Sequence, residues 1–219
     1  MTKPIVFCDF DGTITTQDNI AAIMKQFAPP EWEVLKDDIL AERLTVQEGV
    51  GNMFSLLSSE LKEEITDYVL QTACIRDGFR EFVDFTRQHD IPLYVVSGGI
   101  DFFVYPILEG LIEKERIFCN GSDFSNETIQ IVWPYSCDEH CQNGCGCCKP
   151  SLLRKHSKPD GFHIVIGDSI TDLAVAKLAD HVIARDFLLE KCKKLGISHS
   201  PFNTFFDVVE VLEKLEVGA

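Results

Sequence analysis

At 219 residues, with 45% apolar and 25% charged side chains, the chain is long enough for one buried core plus a modest second unit and too apolar to be disordered. Its net charge of −15, from 35 acidic against 20 basic residues, disfavours nucleic acid and anionic membrane surfaces as partners, so a site that handles anions must bring its own local positive charge. The sequence carries no transmembrane-length apolar run and no signal-peptide pattern, and its nine cysteines are expected as reduced thiols or metal ligands of a cytoplasmic protein.

Residues 3–9 read as a short buried strand, because a β-rich apolar run ends at an acidic, glycine-containing turn. From about 18 to 75 the pattern is helical throughout. Asp18 can cap a helix over 20–27, and Pro29-Pro30 breaks the chain before 31–41. Thr45-Val-Gln-Glu48 is a capping-box pattern, and 61–73 carries apolar residues at helical spacing. Beyond Asp77 strands and helices alternate: helix 79–89, strand 91–96, helix 100–111, strand 117–119 and a hairpin over 120–135 turning at Asn126-Glu127. A cysteine-rich loop follows, then a helix from Pro150, strand 162–166, helix 171–179, strand 181–184 and helices 186–195 and 204–215.

This alternation predicts an α/β fold, a doubly wound and mainly parallel sheet that binds ligands at the carboxyl ends of its strands. The predicted core spans 1–15 and 77–219, with a small helical domain inserted over 16–76.

Four stretches carry candidate chemistry. In extended backbone, Asp9 and Asp11 of Asp9-Phe-Asp-Gly-Thr point the same way. Two carboxylates so close need a shared cation or a proton between them, so one can attack while the other manages protons. The plain alternative is a solvated Asp-Gly turn. Ser97-Gly98-Gly99 after a buried strand offers a hydroxyl and flexible backbone N–H groups as a phosphate cradle, or an ordinary turn. Lys149, at the start of a helix, supplies a cation for a phosphate oxygen, unless it is merely solvated. Asp168, ending an apolar strand in Gly-Asp-Ser-Ile-Thr-Asp172, is expected to need a cation, and Asp172 either caps the next helix or orients the metal shell. Oxygen ligands without paired His or Cys favour Mg²⁺ over zinc.

With DFDGT near the start, Ser-Gly-Gly after a strand, then a lysine and GDSxxD, the chain resembles the haloacid dehalogenase-like hydrolase superfamily over nearly its whole length. The helical block after the first motif looks like the cap of its phosphoserine-phosphatase-like branch. That resemblance implies a Mg²⁺-dependent phosphatase working through an aspartyl-phosphate. It makes Asp9 the nucleophile and Asp11 the general acid/base. Asp9, the Asp11 carbonyl and Asp168 would hold the metal with support from Asp172, and Ser97, Gly98 and Lys149 would hold the phosphate. Longer runs such as DFDGTITTQDNI and VVSGGIDFFVYPILEG resemble the branch members of methionine salvage that act on an enol phosphate. Phosphoserine phosphatases place a substrate-gripping arginine about where this chain has Gly51, with Arg43 nearby. The expected partner is thus a small phosphorylated metabolite. A phosphoserine phosphatase, a phosphotransferase and a non-catalytic metal- or thiol-sensing module stand as alternatives.

The last alternative rests on Cys137, Cys141, Cys145, Cys147 and Cys148, which with His140 lie just before Lys149. Such a cluster either closes round a structural Zn²⁺ that positions Lys149 or remains a loop of reduced thiols. Its spacing lacks two separated Cys-x-x-Cys pairs.

Overall fold

The computed structural model describes residues 3–158 and 161–217; the outermost residues of the expected core lie outside this range. Strand β1 (Pro4–Cys8) is followed by four helices, α1 (Asn19–Phe27), α2 (Trp32–Leu40), α3 (Val46–Ser55) and α4 (Lys62–Thr72). Then come α5 (Phe79–Gln88), β2 (Leu93–Ile100), α6 (Asp101–Leu108), β3 (Ile117–Asp123) and β4 (Gln130–Val132). The chain closes with α7 (Lys149–His156), β5 (Phe162–Gly167), α8 (Leu173–Ala176), β6 (His181–Ala184), α9 (Asp186–Leu195), β7 (His199–Pro201) and α10 (Phe205–Val217).

The strands form one sheet in the order β4-β3-β2-β1-β5-β6-β7, parallel except for the β4 edge. Connections run outward to one side from β1 through β2 and β3, and to the other from β5 through β6 and β7. The order therefore reverses between β1 and β5, and the reversal opens a crevice beyond their carboxyl ends. Every residue of β1 is buried, as a central parallel strand covered on both faces requires. Val6 and Cys8 join one core with Phe79, Phe82 and Phe205, whose rings pack at 4.9 and 5.1 Å between centroids around Phe205. Ile5 and Phe7 turn to the opposite core, with Val96, Leu152, Leu153 and Val165.

The helical stretch leaves and re-enters the sheet at one place. Thr15 and Ile75 form an antiparallel bridge, with Thr16 N–H donating to Cys74 O at 2.9 Å and Arg76 N–H to Ile14 O at 2.8 Å. Asp18 caps α1 through Ala21 N–H, and Thr45 with Glu48 makes the reciprocal capping box of α3.

Some boundaries differ from the sequence reading. The helix expected over 171–179 is a 3₁₀ turn (Ile170–Asp172) and one α-turn, α8. Asp172 spends its carboxylate on the N–H groups of Asp168 and Ser169, and Asp180 N–H is already committed to His163 O where β6 begins. β2 continues past Ser97 to Ile100 through a register shift, and β3 runs on to Asp123 to receive β4. Edge strand β7 was not anticipated. It is three residues long and ends in a proline, which an edge tolerates.

Candidate active site

Register sets the site. Cys8 pairs with Val95 on one side and Ile166 on the other, and Asp9 N–H donates to Ile166 O at 2.9 Å, so Asp9 emerges beside the Gly167-Asp168 end of β5. Carboxylate oxygens of Asp9, Asp168 and Asp172 all lie within 4.8 Å of one another. Lys149 reaches in from the first turn of α7. Its Nζ donates to Asp9 Oδ1 at 2.5 Å and to Asp172 Oδ1 at 2.6 Å, and all three side chains are at least nine-tenths buried. Burial works to lower the Lys149 pKa, but the charges and hydrogen bonds of Asp172 and Asp9 outweigh it and raise it. Burial, and next the charge of Asp172, pushes both Asp9 and Asp168 above the ordinary carboxylate range. Three carboxylates against one ammonium leave negative charge that a further cation would offset, and the oxygen-only donor set suits a hard ion such as Mg²⁺.

The other side chains brace this centre. Thr13 Oγ1 donates to Asp168 Oδ1 at 2.8 Å. Gly12 sits at φ +80°, and a Cβ there would fall on the Asp168 carboxylate, so the turn after Asp11 requires glycine. The Asp11 carboxylate stands outside the three-carboxylate cluster. Its Oδ1 accepts from the Asn19 backbone N–H at 3.0 Å and from Asn19 Nδ2 at 2.7 Å. Burial, and then the charge of Asp18, push the Asp11 carboxyl up to about 7 against the pull of Asn19. Asp11 is therefore poised between proton donor and acceptor near neutral pH.

Ser97 is fully buried and its Oγ accepts from Gly99 N–H at 2.8 Å. A Cβ on Gly99 would stand 2.9 Å from both Asp11 Oδ2 and Ser97 Oγ, so these two groups face one small space. Gly98 has no neighbour where a Cβ would project, and its carbonyl is held by Asn120 Nδ2 at 2.8 Å. Gly98 and Lys149 form part of the wall of a cavity of about 480 Å³, which Ile39, Leu40, Leu44 and Val46 line from the helical segment. The Arg43 guanidinium at the same cavity is tied to Asp38 at 2.6 and 2.7 Å. Gly51 is not among the lining residues.

Two positioning residues escaped the sequence reading. Asn19, wholly buried, also donates to Thr15 Oγ1, and its only sequence signal was its place after the helix cap Asp18. Arg76 donates to Gly12 O at 2.6 Å, Thr13 O at 2.8 Å and Asn203 O at 3.3 Å, clamping the loop that follows Asp9. No local pattern marks a side chain that works across more than 60 residues. Of the five clustered cysteines, four bring their sulfurs together and Cys147 does not.

The profile of the haloacid dehalogenase-like hydrolases matches residues 6–177. The chain belongs to this family. Among its relatives, a 2-hydroxy-3-keto-5-methylthiopentenyl-1-phosphate phosphatase of Geobacillus thermodenitrificans is 74% identical over 215 residues, 98% of each chain. One of the same name from Bacillus pumilus is 56% identical over 99% of this chain and 94% of its own. A phosphoserine phosphatase solved as a phospho-aspartyl intermediate analogue superposes with a TM-score of 0.74 at 18% identity, covering 96% of this chain and 99% of that one. Another, from T. onnurineus, gives 0.71 at 16% identity over 96% of this chain and 94% of that one. The hydrolase fold of this family is thus shared with phosphoserine phosphatases. Among the described residues, no helix is long and apolar enough to cross a membrane.

Proposed function

We propose that this protein is a phosphatase that hydrolyses 2-hydroxy-3-keto-5-methylthiopentenyl-1-phosphate, acting in the cytoplasm as a step of methionine salvage. The observation that carries the reaction class is the convergence of Asp9, Asp168 and Asp172, with Lys149 bonded to Asp9 and Asp172, where the strand order reverses. Asp9 attacks phosphorus in line, forming a bond from its carboxylate oxygen as the bond to the leaving oxygen breaks. Asp11 passes its proton to that oxygen. It then takes a proton from the water whose oxygen attacks phosphorus, freeing Asp9 and releasing inorganic phosphate. Lys149 offsets the charge on the phosphoryl oxygens, and the Gly98 backbone with the Ser97 hydroxyl holds them. Asp9, the Asp11 carbonyl and Asp168 would hold Mg²⁺, with Asp172 in support, and the ion would supply further neutralisation of the transferring group.

The substrate assignment rests on the relatives and on the cavity. A methylthio chain suits a lining of Ile39, Leu40, Leu44 and Val46. Of the two cations that line it, Lys149 belongs to the phosphate end and Arg43 is already paired with Asp38, which leaves no unpaired cation among the lining residues for the carboxylate of phosphoserine. Residues 16–76 would act as the cap that closes this cavity over a core of 1–15 and 77–219.

The test is phosphate release with Mg²⁺ from a panel holding the enol phosphate, phosphoserine and candidate acceptor alcohols. The enol phosphate should lead phosphoserine in kcat/KM by roughly 100-fold. Equal rates would remove the substrate assignment, and transfer to an acceptor in place of water would make the protein a phosphotransferase. Asp9→Asn should abolish turnover while leaving the circular dichroism spectrum and melting transition in place.

A further inference from the structure

The loop between β4 and α7 brings four thiols to one point. The Sγ atoms of Cys137, Cys141, Cys145 and Cys148 all lie within 4.8 Å of one another. Cys141 and Cys145 are 3.7 Å apart. A tetrahedral zinc with Zn–S bonds of about 2.3 Å sets its sulfurs about 3.8 Å apart, so that separation is already the edge of such a tetrahedron. A disulfide would draw two of them to about 2.05 Å, and all nine cysteines are free. An iron–sulfur cluster inserts its own sulfides and would spread the four thiols wider than a single ion does.

The fifth cysteine explains why the spacing looked wrong in the sequence. Cys147 points the other way, its Sγ 3.6 Å from Phe118 O in the core on the far face of the sheet, and His140 is exposed beside Glu139. With Cys147 set aside, the ligands read Cys-x₃-Cys-x₃-Cys-x₂-Cys. Gly144 and Gly146, at φ +59° and +74°, make the tight turns between the last three. The surroundings supply donors to sulfur, as metal-bound thiolates require. The Ser151 hydroxyl lies 2.9 Å from Cys148 Sγ, and the Ser151 and Cys145 backbone N–H groups point to Cys148 and Cys137. Asp138, between the first two ligands, is held by Arg154 of α7 at 2.6 and 2.8 Å.

We propose that Cys137, Cys141, Cys145 and Cys148 bind one structural zinc ion that shapes the loop leading into Lys149. Cys148 immediately precedes Lys149, so the ion fixes the backbone from which the buried ammonium projects. Its grip also sets the far wall of the cavity. Asn143 and Cys145 line that wall, and Gly144 O accepts from Gln47 N–H of α3 at 2.9 Å. The zinc would therefore join the helical segment and the phosphate-facing lysine through one loop.

Elemental analysis tests this on the full chain, produced without a metal-binding tag in zinc-supplied cells and dialysed into Mg²⁺ buffer. One zinc per chain is expected. It should be lost in Cys137→Ser and in Cys141→Ser and kept in Cys147→Ser. Cobalt exchanged into the site should show intense thiolate charge-transfer bands and tetrahedral ligand-field bands. If the serine variants fail to fold, the cobalt spectrum of the parent decides alone, and one lacking thiolate charge transfer ends the proposal. Zinc far below one per chain, iron in its place, disulfides among the four, or a Cys147→Ser variant that loses the metal would each overturn it. None of these measurements reads phosphate release, so the outcome is independent of the proposed reaction.

Discussion

Replacing Lys149 by methionine keeps an unbranched side chain, one heavy atom shorter, and removes its charge. The ammonium bridges two carboxylates at 2.5 and 2.6 Å, with side-chain exposures of 7% for Lys149, 6% for Asp9 and 1% for Asp172. Water cannot replace the lost partner at such burial, so the variant is left with uncompensated charge. Breaking a buried pair in this way costs about 3–5 kcal/mol, a large share of the roughly 5–15 kcal/mol that holds a typical domain folded. At about 2–4 °C per kcal/mol for a chain of this size, the melting temperature should fall by roughly 6–20 °C in buffer without divalent metal. Two further responses separate lost charge from lost packing. Lowering the pH should narrow the gap between variant and parent, because Asp9, already raised by burial and by Asp172, then takes up a proton. Adding Asp172→Asn to the variant should recover part of the loss, since one carboxylate is removed while an amide oxygen can still accept from the Asp168 and Ser169 N–H groups. Scanning calorimetry of parent, single and double variants from pH 5 to 8 measures all three. A Lys149→Met protein that melts with the parent, or a double variant that melts below the single one, would show that the carboxylates do not depend on this ammonium.

Other outcomes follow from the same geometry. The Asp11 carboxyl is raised from 3.8 to about 7 in the folded protein, so its contribution to stability is full below 3.8 and lost as pH rises through 7. Asp11→Asn, which cannot ionise, should therefore gain in melting temperature relative to the parent as metal-free samples go from pH 5 to 8, and a falling difference would contradict this. Gly12→Ala forces a Cβ onto the Asp168 carboxylate at a left-handed φ, and should cut kcat far more than a stability loss alone explains, as steady-state rates beside melting curves will show. Thr45→Ala removes the α3 capping box and should cost about 1 kcal/mol in urea unfolding.

What could be read in the sequence was local. A run of five apolar residues ending in Asp9 needs no knowledge of the rest of the chain to be taken as a central strand with a carboxylate at its tip. The same holds for the strand ending before Asp168, and for the capping box at Thr45. The approach of Lys149 to Asp9 spans 140 residues and was inferred from the order of the motifs, whereas the sheet register is what brings the two together. Local reasoning failed where a partner lay far off in the chain. Arg76 and Asn19 hold the loop that follows Asp9 through contacts that no periodicity encodes. The choice of Cys148 over Cys147 depended on which of two adjacent side chains faces the loop and which the sheet. The stretch after Asp168 looked helical because its residues favour helix, yet capping by Asp172 and the start of β6 leave space for a single turn.

The bridge between Thr15 and Ile75 pins the helical segment at its root, and a second bridge, Ser58 with Thr128, pins it near β4. Its outgoing and returning strands are stitched to each other, and Arg76, one residue past that seam, grips the carbonyls of Gly12 and Thr13. The root of the segment is thus tied through Arg76 to the backbone turn that follows Asp9. One arginine therefore serves both the root of the helical segment and the turn beside Asp9, and its loss is expected to loosen the two together.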